Sequence, residues 1–238
     1  MRMTSISAGQ SALRCSITLA CIGLITSGAL GGPKPKPVSG AARWAVSTYE
    51  GHDRYHTRST PLPGGGVSFE FLETPDRAEL VTSHPSYRKV LLGNQLGKTL
   101  SATIAITAMP GTVFNYYKQG NPENPCPREA NVRLYFETKN DALGESQYWW
   151  SNPVSIDLAD LLSTGGTTLN VTLSPEFWSD RVGSFGHSDA AHEAAFIAAA
   201  SNITLTGLSF GGGCWFAFGA GTNPGGATFQ LLSFTSTE

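Results

Sequence analysis

The sequence contains few charged residues and no excess of basic ones. Only 14% of its 238 residues are Asp, Glu, Lys or Arg, and 16 basic residues stand against 18 acidic ones, for a formal net charge of -2. So few charges disfavour a coiled coil or a long charged helix, and the balance argues against nucleic-acid binding through the phosphate backbone. Because 40% of the residues are hydrophobic and 10% aromatic, the chain can still bury a core, which disfavours disorder over its whole length.

The sequence also lacks an apolar run long enough to cross a bilayer as a helix. The longest candidate follows Arg14 and spans about 14 residues, whereas a transmembrane helix needs about 20. With Arg2 and Arg14 at its start and the small residues Ser27 and Ala29 at its end, this segment resembles a signal peptide. We therefore predict a signal peptide at 1–29, cleaved after Ala29, and a secreted or periplasmic protein.

Two further features lie near the predicted cleavage site. The tripeptide Leu19-Ala20-Cys21 leaves open a lipoprotein signal, in which lipidation of Cys21 would anchor the protein to a membrane. The residues 30–40 form a Pro/Lys/Gly tether, which is stiff because proline fixes φ and which has nothing to contribute to a core. A single folded domain is then expected at 41–238.

The cysteines are few, and half of them precede the predicted domain. Cys15 and Cys21 lie in the signal, which leaves Cys126 and Cys214 in the domain. An oxidising compartment predicts a disulfide between these two, and the alternative is a pair of free thiols. A cysteine-based metal site is disfavoured because neither residue has another Cys or His two to four positions away.

The predicted domain is divided into short segments in which apolar and polar residues alternate. The clearest segment is 98–108, and 131–138 and 167–173 repeat the pattern. Such alternation is typical of half-buried strands in an antiparallel sandwich. Further strands are predicted at 67–73, 78–82, 88–92, 154–158, 202–210, 214–219 and 227–235.

Three segments depart from this alternation. The residues 188–200 are rich in alanine and begin with Asp189 at a capping position, so they predict one short helix. Gly207 is predicted to mark a β-bulge. The polar and aromatic cluster at 49–56 is expected to form a solvated loop, and the alternative is a binding loop or a metal loop. The predicted fold class is therefore all-β, an antiparallel β-sandwich (jelly roll) of about ten strands with a single helix.

The order of strand sequences carries a resemblance to a known group of domains. The relevant segments are Gly97-Lys98-Thr99-Leu100, 130–136, Tyr148-Trp149-Trp150-Ser151, 202–210 and 229–234. Over roughly 43–238 they resemble the galactose-binding-like jelly roll of secreted carbohydrate-binding modules. The resemblance implies a glycan ligand and, in many members, a structural calcium ion held by an acid of a late strand. The last strand here has no Asp, so no cofactor is predicted and a calcium site is disfavoured.

The aromatic residues provide the best candidate for a binding site. Because neighbouring side chains of a strand point to opposite faces, one of Trp149 and Trp150 must face outward. Sugars pack on flat rings and exchange hydrogen bonds with planar polar groups. The predicted ligand-binding residues are Arg133, Tyr135, Glu137, Tyr148, Trp149 and Trp150. The alternative is a second buried layer, in which Tyr135 and one Trp pack together and Arg133 pairs with Glu137.

Two short motifs resemble catalytic or metal sites but lack a required part. The residues 207–211 match Gly-x-Ser-x-Gly, yet a glycine turn follows them where a hydrolase has a helix. His192-Glu193 begins like a zinc-protease helix, but Phe196 replaces the second histidine. We therefore predict a protein without a metal or catalytic site that binds a polysaccharide or cell-surface glycan. The alternatives are a structural or protein-interaction sandwich and a secreted hydrolase whose acids the sequence does not pair.

Overall fold

The structure is a computed structural model, and it describes residues 43–50, 53–63, 65–122, 126, 128–139, 142–214 and 219–238. The predicted signal peptide at 1–29, with Cys15 and Cys21, and the predicted tether at 30–40 lie outside the described residues. Most of the predicted strand at 214–219 lies outside them as well.

Within the described residues, fifteen strands form two antiparallel sheets. In chain order the strands are β1 (Ala45–Glu50), β2 (Asp53–Arg58), β3 (Thr60–Pro61), β4 (Val67–Phe71), β5 (Arg77–Thr82), β6 (Thr99–Ala108), β7 (Phe114–Tyr116), β8 (Asn131–Thr138), β9 (Tyr148–Ser151), β10 (Ile156–Asp157), β11 (Thr167–Thr172), β12 (Trp178–Asp180), β13 (Ile203–Gly211), β14 (Ala220–Thr222) and β15 (Ala227–Thr237). The larger sheet has the order β12-β9-β8-β13-β5-β1-β2, with β10 beside β8, and with β14 beside both β5 and β7. The smaller sheet has the order β11-β6-β15-β4-β3. The predicted antiparallel β-sandwich is confirmed, with more strands than the ten expected.

The hydrophobic core lies between the two sheets. Phe210 of β13 contacts Phe69 of β4 with ring centroids 5.3 Å apart, and it contacts Phe229 of β15 at 4.9 Å, both close to edge-on. Such edge-to-face pairs add to the free energy gained by burying the rings. The predicted alternation along β8 is also observed, since Val132, Leu134 and Phe136 are in the core. The intervening residues of β8 consequently lie on the outer face of the larger sheet.

The described residues form two α-helices, where the sequence analysis predicted one. The predicted helix is α2 (Ala190–Ala200), and the Asp189 carboxylate caps it by accepting hydrogen bonds from the backbone of Ala191 and His192, both at 2.9 Å. The second is α1 (Leu158–Thr164), which follows directly on β10, so most of the strand predicted at 154–158 is wrong. Burial of Leu158 and Leu161, three residues apart, favours a helix there.

The strand predicted at 88–92 is also wrong. A short 3-10 helix at Pro85–Tyr87 precedes it, and the backbone N–H groups of Leu91 and Leu92 donate to the carbonyl of Tyr87 at 2.8 and 3.1 Å. Both leucines are buried. The apolar residues of this segment are therefore buried in a turn. Burial alone does not require an extended backbone.

Gly207 has a different role from the predicted bulge. The register shift of β13 against β8 lies between Ile203 and Leu205. A Cβ atom at position 207 would collide with the carbonyl oxygen of Leu80 on the neighbouring strand β5. Glycine is therefore needed at this position for close approach of two backbones.

The predicted disulfide between Cys126 and Cys214 is present, with Cα atoms 5.8 Å apart. Cys126 precedes β8 and Cys214 follows β13, and these two strands are neighbours in the larger sheet. The disulfide thus closes the end of the central strand pair and encloses a loop with a sequence separation of 88 residues.

Removing the disulfide should lower stability without abolishing the fold. For a loop of this length the chain-entropy argument gives an upper value of about 4.5 kcal/mol, and disulfides typically contribute about 2–4 kcal/mol, so we expect a loss of about 2–4 kcal/mol in the free energy of unfolding for a Cys126→Ser/Cys214→Ser variant. Urea unfolding of the variant, beside wild-type protein with and without reductant, measures this loss. Two free thiols in peptides from unreduced wild-type protein would contradict the prediction.

Candidate functional site

The register of the larger sheet brings polar and aromatic side chains from six strands onto one surface. Tyr135 of β8 pairs with Trp150 of β9, and Ser209 of β13 lies between Arg133 of β8 and Glu79 of β5. Directly paired residues of antiparallel strands share a face. The surface so formed, here named the outer face, holds Ser47, Arg54, His56, Glu79, Arg133, Tyr135, Glu137, Tyr148, Trp150 and Ser209.

Trp149 is the one predicted binding residue that the outer face does not include. Its side chain is 0% exposed in the core, where it stacks on Phe136 and contacts Phe196 edge-on at 5.1 Å. Its indole N–H donates to the carbonyl of Ser146 at 2.7 Å, so the buried polar group is satisfied. Trp149 therefore stabilises the fold and has to be removed from the predicted ligand-binding residues.

Three aromatic side chains form a continuous strip on the outer face. The Trp150 ring lies between those of Tyr135 and Tyr148, with centroid distances of 5.1 and 6.3 Å. Its indole N–H donates to the Ser209 hydroxyl at 3.0 Å. Tyr135 is buried, whereas Trp150 and Tyr148 are half-buried. This aromatic strip (Tyr135, Trp150, Tyr148) therefore has one ring packed as a support and two that present part of their surface to solvent.

Beside the aromatic strip, the Arg54 guanidinium joins two carboxylates. Nη1 donates to Oε1 of Glu137 at 2.6 Å, and Nη2 forms an ion pair with Oε2 of Glu79. The Tyr135 hydroxyl donates to the same Oε1 of Glu137 at 2.6 Å, which connects the charges to the aromatic strip. This charged cluster (Arg54, Glu79, Glu137) restrains the positions of all three charged side chains.

The sequence analysis missed Arg54 and Glu79. Arg54 lies in the segment predicted as a loop, but β1 and β2 form a hairpin there, and Arg54 reaches Glu137 across 83 positions of sequence. Glu79 interrupts an apolar strand whose other residues from Ala78 onward are buried. A carboxylate within such an apolar strand indicates a buried charge, and a buried charge requires a partner. This pattern could have identified Glu79 from the sequence.

Burial and the neighbouring charges shift several pKa values on this surface. Burial raises the pKa of the Glu79 carboxyl, although the Arg54 charge opposes the shift. Partial burial, followed by the Arg54 charge, lowers the pKa of His56, which contacts the Ser47 hydroxyl at 3.1 Å. Burial and then the negative charge of Glu137 raise the pKa of Tyr148. Glu79 therefore retains a proton to a higher pH than an ordinary glutamate does.

Arg133 is the most buried cation of the outer face, with 5% of its surface exposed. Its guanidinium carbon lies 6.0 Å from the centre of the Trp150 ring. In the part of the chain that the structure describes, its Nε has no hydrogen-bond partner. Desolvation, with a smaller effect of the nearby Arg128 charge, lowers the pKa of Arg133 to about 10. The alternative pairing with Glu137 is not formed, since the Glu137 carboxylate contacts Arg54 instead.

An open groove adjoins the charged cluster at the end of β8. Its lining includes Glu137, Lys139, Gln147, Thr204 and Arg88. The groove shares Glu137 with the charged cluster, and its lining adds the two cationic side chains of Arg88 and Lys139.

The two short motifs have structural roles. Ser209 lies within β13 and accepts the hydrogen bond of Trp150, and His192 contacts the helix-capping Asp189 at 2.8 Å. Among the described residues, no group of three or more His, Cys, Asp or Glu side chains could hold a metal ion. None of the helices in that part of the chain is long and apolar enough to span a membrane. No protein-family model, curated protein or solved structure matches the chain.

Glu79 should make the stability of the protein depend on pH. Because its pKa is raised in the folded state, the folded protein binds this proton more tightly than the unfolded chain. The contribution is greatest below the ordinary value of 4.5 and declines as pH rises through the folded pKa, by at most about 1.4 kcal/mol per pH unit.

Urea unfolding between about pH 4 and 8 tests this contribution. Glu79→Gln should flatten the decline, whereas Glu70→Gln, at an exposed position of β4, should leave it unchanged. An identical slope in wild type and Glu79→Gln would contradict the assignment.

Proposed function

We propose that the protein is an exported, non-catalytic β-sandwich whose outer face binds a glycan or another cell-surface polymer. The observation that carries this proposal is the half-buried Trp150 ring, held between two tyrosines beside a guanidinium and a carboxylate. Binding sites for small polar ligands commonly combine an apolar wall with a few directed polar groups. The aromatic strip corresponds to the wall and the neighbouring charged residues to the directed groups.

The contacts around Trp150 support a binding role because they restrain the ring before any ligand arrives. Tyr135 and Tyr148 pack against it, and the hydrogen bond to Ser209 sets its orientation. A side chain that is already ordered loses little conformational entropy on binding. A sugar ring that binds Trp150 would therefore contact a side chain that is already ordered.

Glu137 offers an acceptor for sugar hydroxyl groups next to this ring. Both described hydrogen bonds to its carboxylate, from Arg54 and from Tyr135, use Oε1. In the described part of the chain Oε2 therefore has acceptor capacity left, on a side chain that is 17% exposed. The Arg54 ion pair restrains this carboxylate, so a hydrogen bond from a ligand would have a defined direction.

Export is supported by the disulfide, because disulfides persist mainly in oxidising compartments. The predicted signal peptide agrees with this reasoning from the sequence. The resemblance to galactose-binding-like jelly rolls stays a prediction, which the glycan-binding experiments below also address.

A secreted hydrolase is the second candidate, and the two carboxylates on Arg54 favour it. Glycosidases use a pair of carboxyl groups about 5–9 Å apart, and Glu79 and Glu137 approach one guanidinium. Against hydrolysis, Arg54 forms ion pairs with both carboxylates, which opposes the use of either one as a general acid or a nucleophile. Binding without cleavage is therefore the better-supported function.

The two neighbouring tryptophans provide a matched test of glycan binding. Trp150→Ala should weaken binding to an immobilised polysaccharide panel by at least about tenfold, and it should lower the unfolding midpoint only moderately because the ring is half-buried. Trp149→Ala should instead destabilise the protein by about 3–5 kcal/mol, because it empties a core site. Wild-type binding by Trp150→Ala, or equal destabilisation by both changes, would contradict the proposal.

Release of reducing sugar from the same polysaccharides distinguishes binding from hydrolysis. We expect none from the wild-type protein, since Arg54 holds both carboxylates in ion pairs. Release that is abolished by Glu79→Gln and by Glu137→Gln separately would establish the hydrolase instead.

A further inference from the structure

Arg133 is a buried cation for which the described residues provide no counter-ion. The nearest strands of the outer face contain two carboxylates, and both are engaged by Arg54. No ion pair in the described part of the chain involves Arg133, and its Nε is without a hydrogen-bond partner there. The charged neighbour that acts on it is a second cation, Arg128.

Such an arrangement is unfavourable in the free protein. Removing a guanidinium from water costs free energy, which a partner of opposite charge normally offsets. Replacing it with an apolar side chain of similar length would avoid that cost. An arginine in this environment is therefore suited to an anion that arrives from outside the chain.

The position of Arg133 indicates which part of a ligand would meet it. Its guanidinium lies over the Trp150 ring, 6.0 Å from the ring centre, and its paired residue on β13 is Ser209. A sugar that contacts the solvent-exposed part of the Trp150 ring would bring its substituents close to this guanidinium. The arginine fork matches the two oxygens of a carboxylate, with two parallel hydrogen bonds.

We infer that Arg133 binds the carboxylate of an acidic sugar, so that the ligand is a polysaccharide containing uronic acid. This inference rests on the proposed glycan-binding function and adds the chemical class of the ligand. The chain as a whole has a net charge of -2, so general attraction to polyanions does not account for such binding. The preference for an acidic ligand would arise locally, at one buried guanidinium.

The first experiment observes Arg133 itself, by the Nε–H signals in ¹⁵N NMR spectra of the purified protein. The Arg133 signal is identified by its absence from the spectrum of Arg133→Met. Sodium glucuronate should shift this signal with saturation, whereas glucose, and sodium chloride at the same ionic strength, should not. No shift with glucuronate, or an equal shift with chloride or sulfate, would overturn the assignment to a carboxylate.

The second experiment compares polygalacturonate with its fully methyl-esterified form, which has the same backbone without the charge. Wild-type protein should prefer the acidic form, and Arg133→Met should lower affinity for it by at least about tenfold while leaving the neutral form unaffected. Arg128→Gln removes a nearby exposed cation and is the matched control. It should retain the preference.

The outcomes separate the two proposals. If both polymers bind equally through Trp150 and Arg133→Met changes neither, the glycan site stands and the acidic-ligand inference fails. If neither polymer binds and glucuronate leaves the Arg133 signal unchanged, the acidic-ligand inference fails, and the polysaccharide panel decides the glycan-binding proposal. The unfolding midpoint of Arg133→Met should equal or exceed that of wild type, because it removes an uncompensated buried charge; a large decrease would show that Arg133 has a structural partner and would overturn the inference.

Discussion

The pairing of β8 with β13 at the centre of the larger sheet is the constraint on which the rest of the structure depends. Its register directs Leu134 and Phe136 into the core and places Arg133 beside Ser209 on the other face. Gly207 permits close approach of β13 to β5, which extends the same face to Glu79. The disulfide closes one end of this strand pair. A slip of one residue in β8 would exchange its core and outer residues.

The outer face is unusual because it buries charges without becoming a second hydrophobic core. Arg54 neutralises Glu79 and Glu137 together, and the Tyr135 hydroxyl adds a hydrogen bond to Glu137. These ion pairs are partly buried, and the cost of removing charges from water offsets much of their attraction. They therefore fix the positions of the charged side chains more than they stabilise the fold. The result is a rigid arrangement of rings and charges along neighbouring strands.

Within this arrangement the two arginines of the outer face differ in their charged partners. Arg54 is satisfied by carboxylates of the chain, whereas Arg133 is desolvated and depends on the neighbouring Trp150 ring for its described favourable contact. A cation–π contact of this kind compensates burial incompletely. This difference is the basis of our proposal that Arg133 selects the ligand, whereas Arg54 restrains the two carboxylates of the chain.

Local patterns in the sequence determined the features that depend on nearby residues. The two-residue period of β8 separated Val132 from Arg133, the capping Asp189 marked the start of α2, and the count of cysteines indicated the pair Cys126 and Cys214. These features can be predicted from the sequence because strand alternation and helix capping depend on residues only a few positions apart. Apolar runs without a clear period were less informative, as α1 and the turn after Pro85 show.

The tertiary structure alone decided the features that depend on partners far apart in the chain. Alternation required one of Trp149 and Trp150 to face outward, but only the pairing of Trp150 with Tyr135 decided which one. The contact of Arg54 with Glu137 joins residues 83 positions apart, and no local pattern encodes it. The lack of a described ion pair at Arg133 likewise follows from where every other charge of the sheet lies. Strand register and side-chain packing set these relations, because they act through contacts between distant segments and leave no period in the sequence.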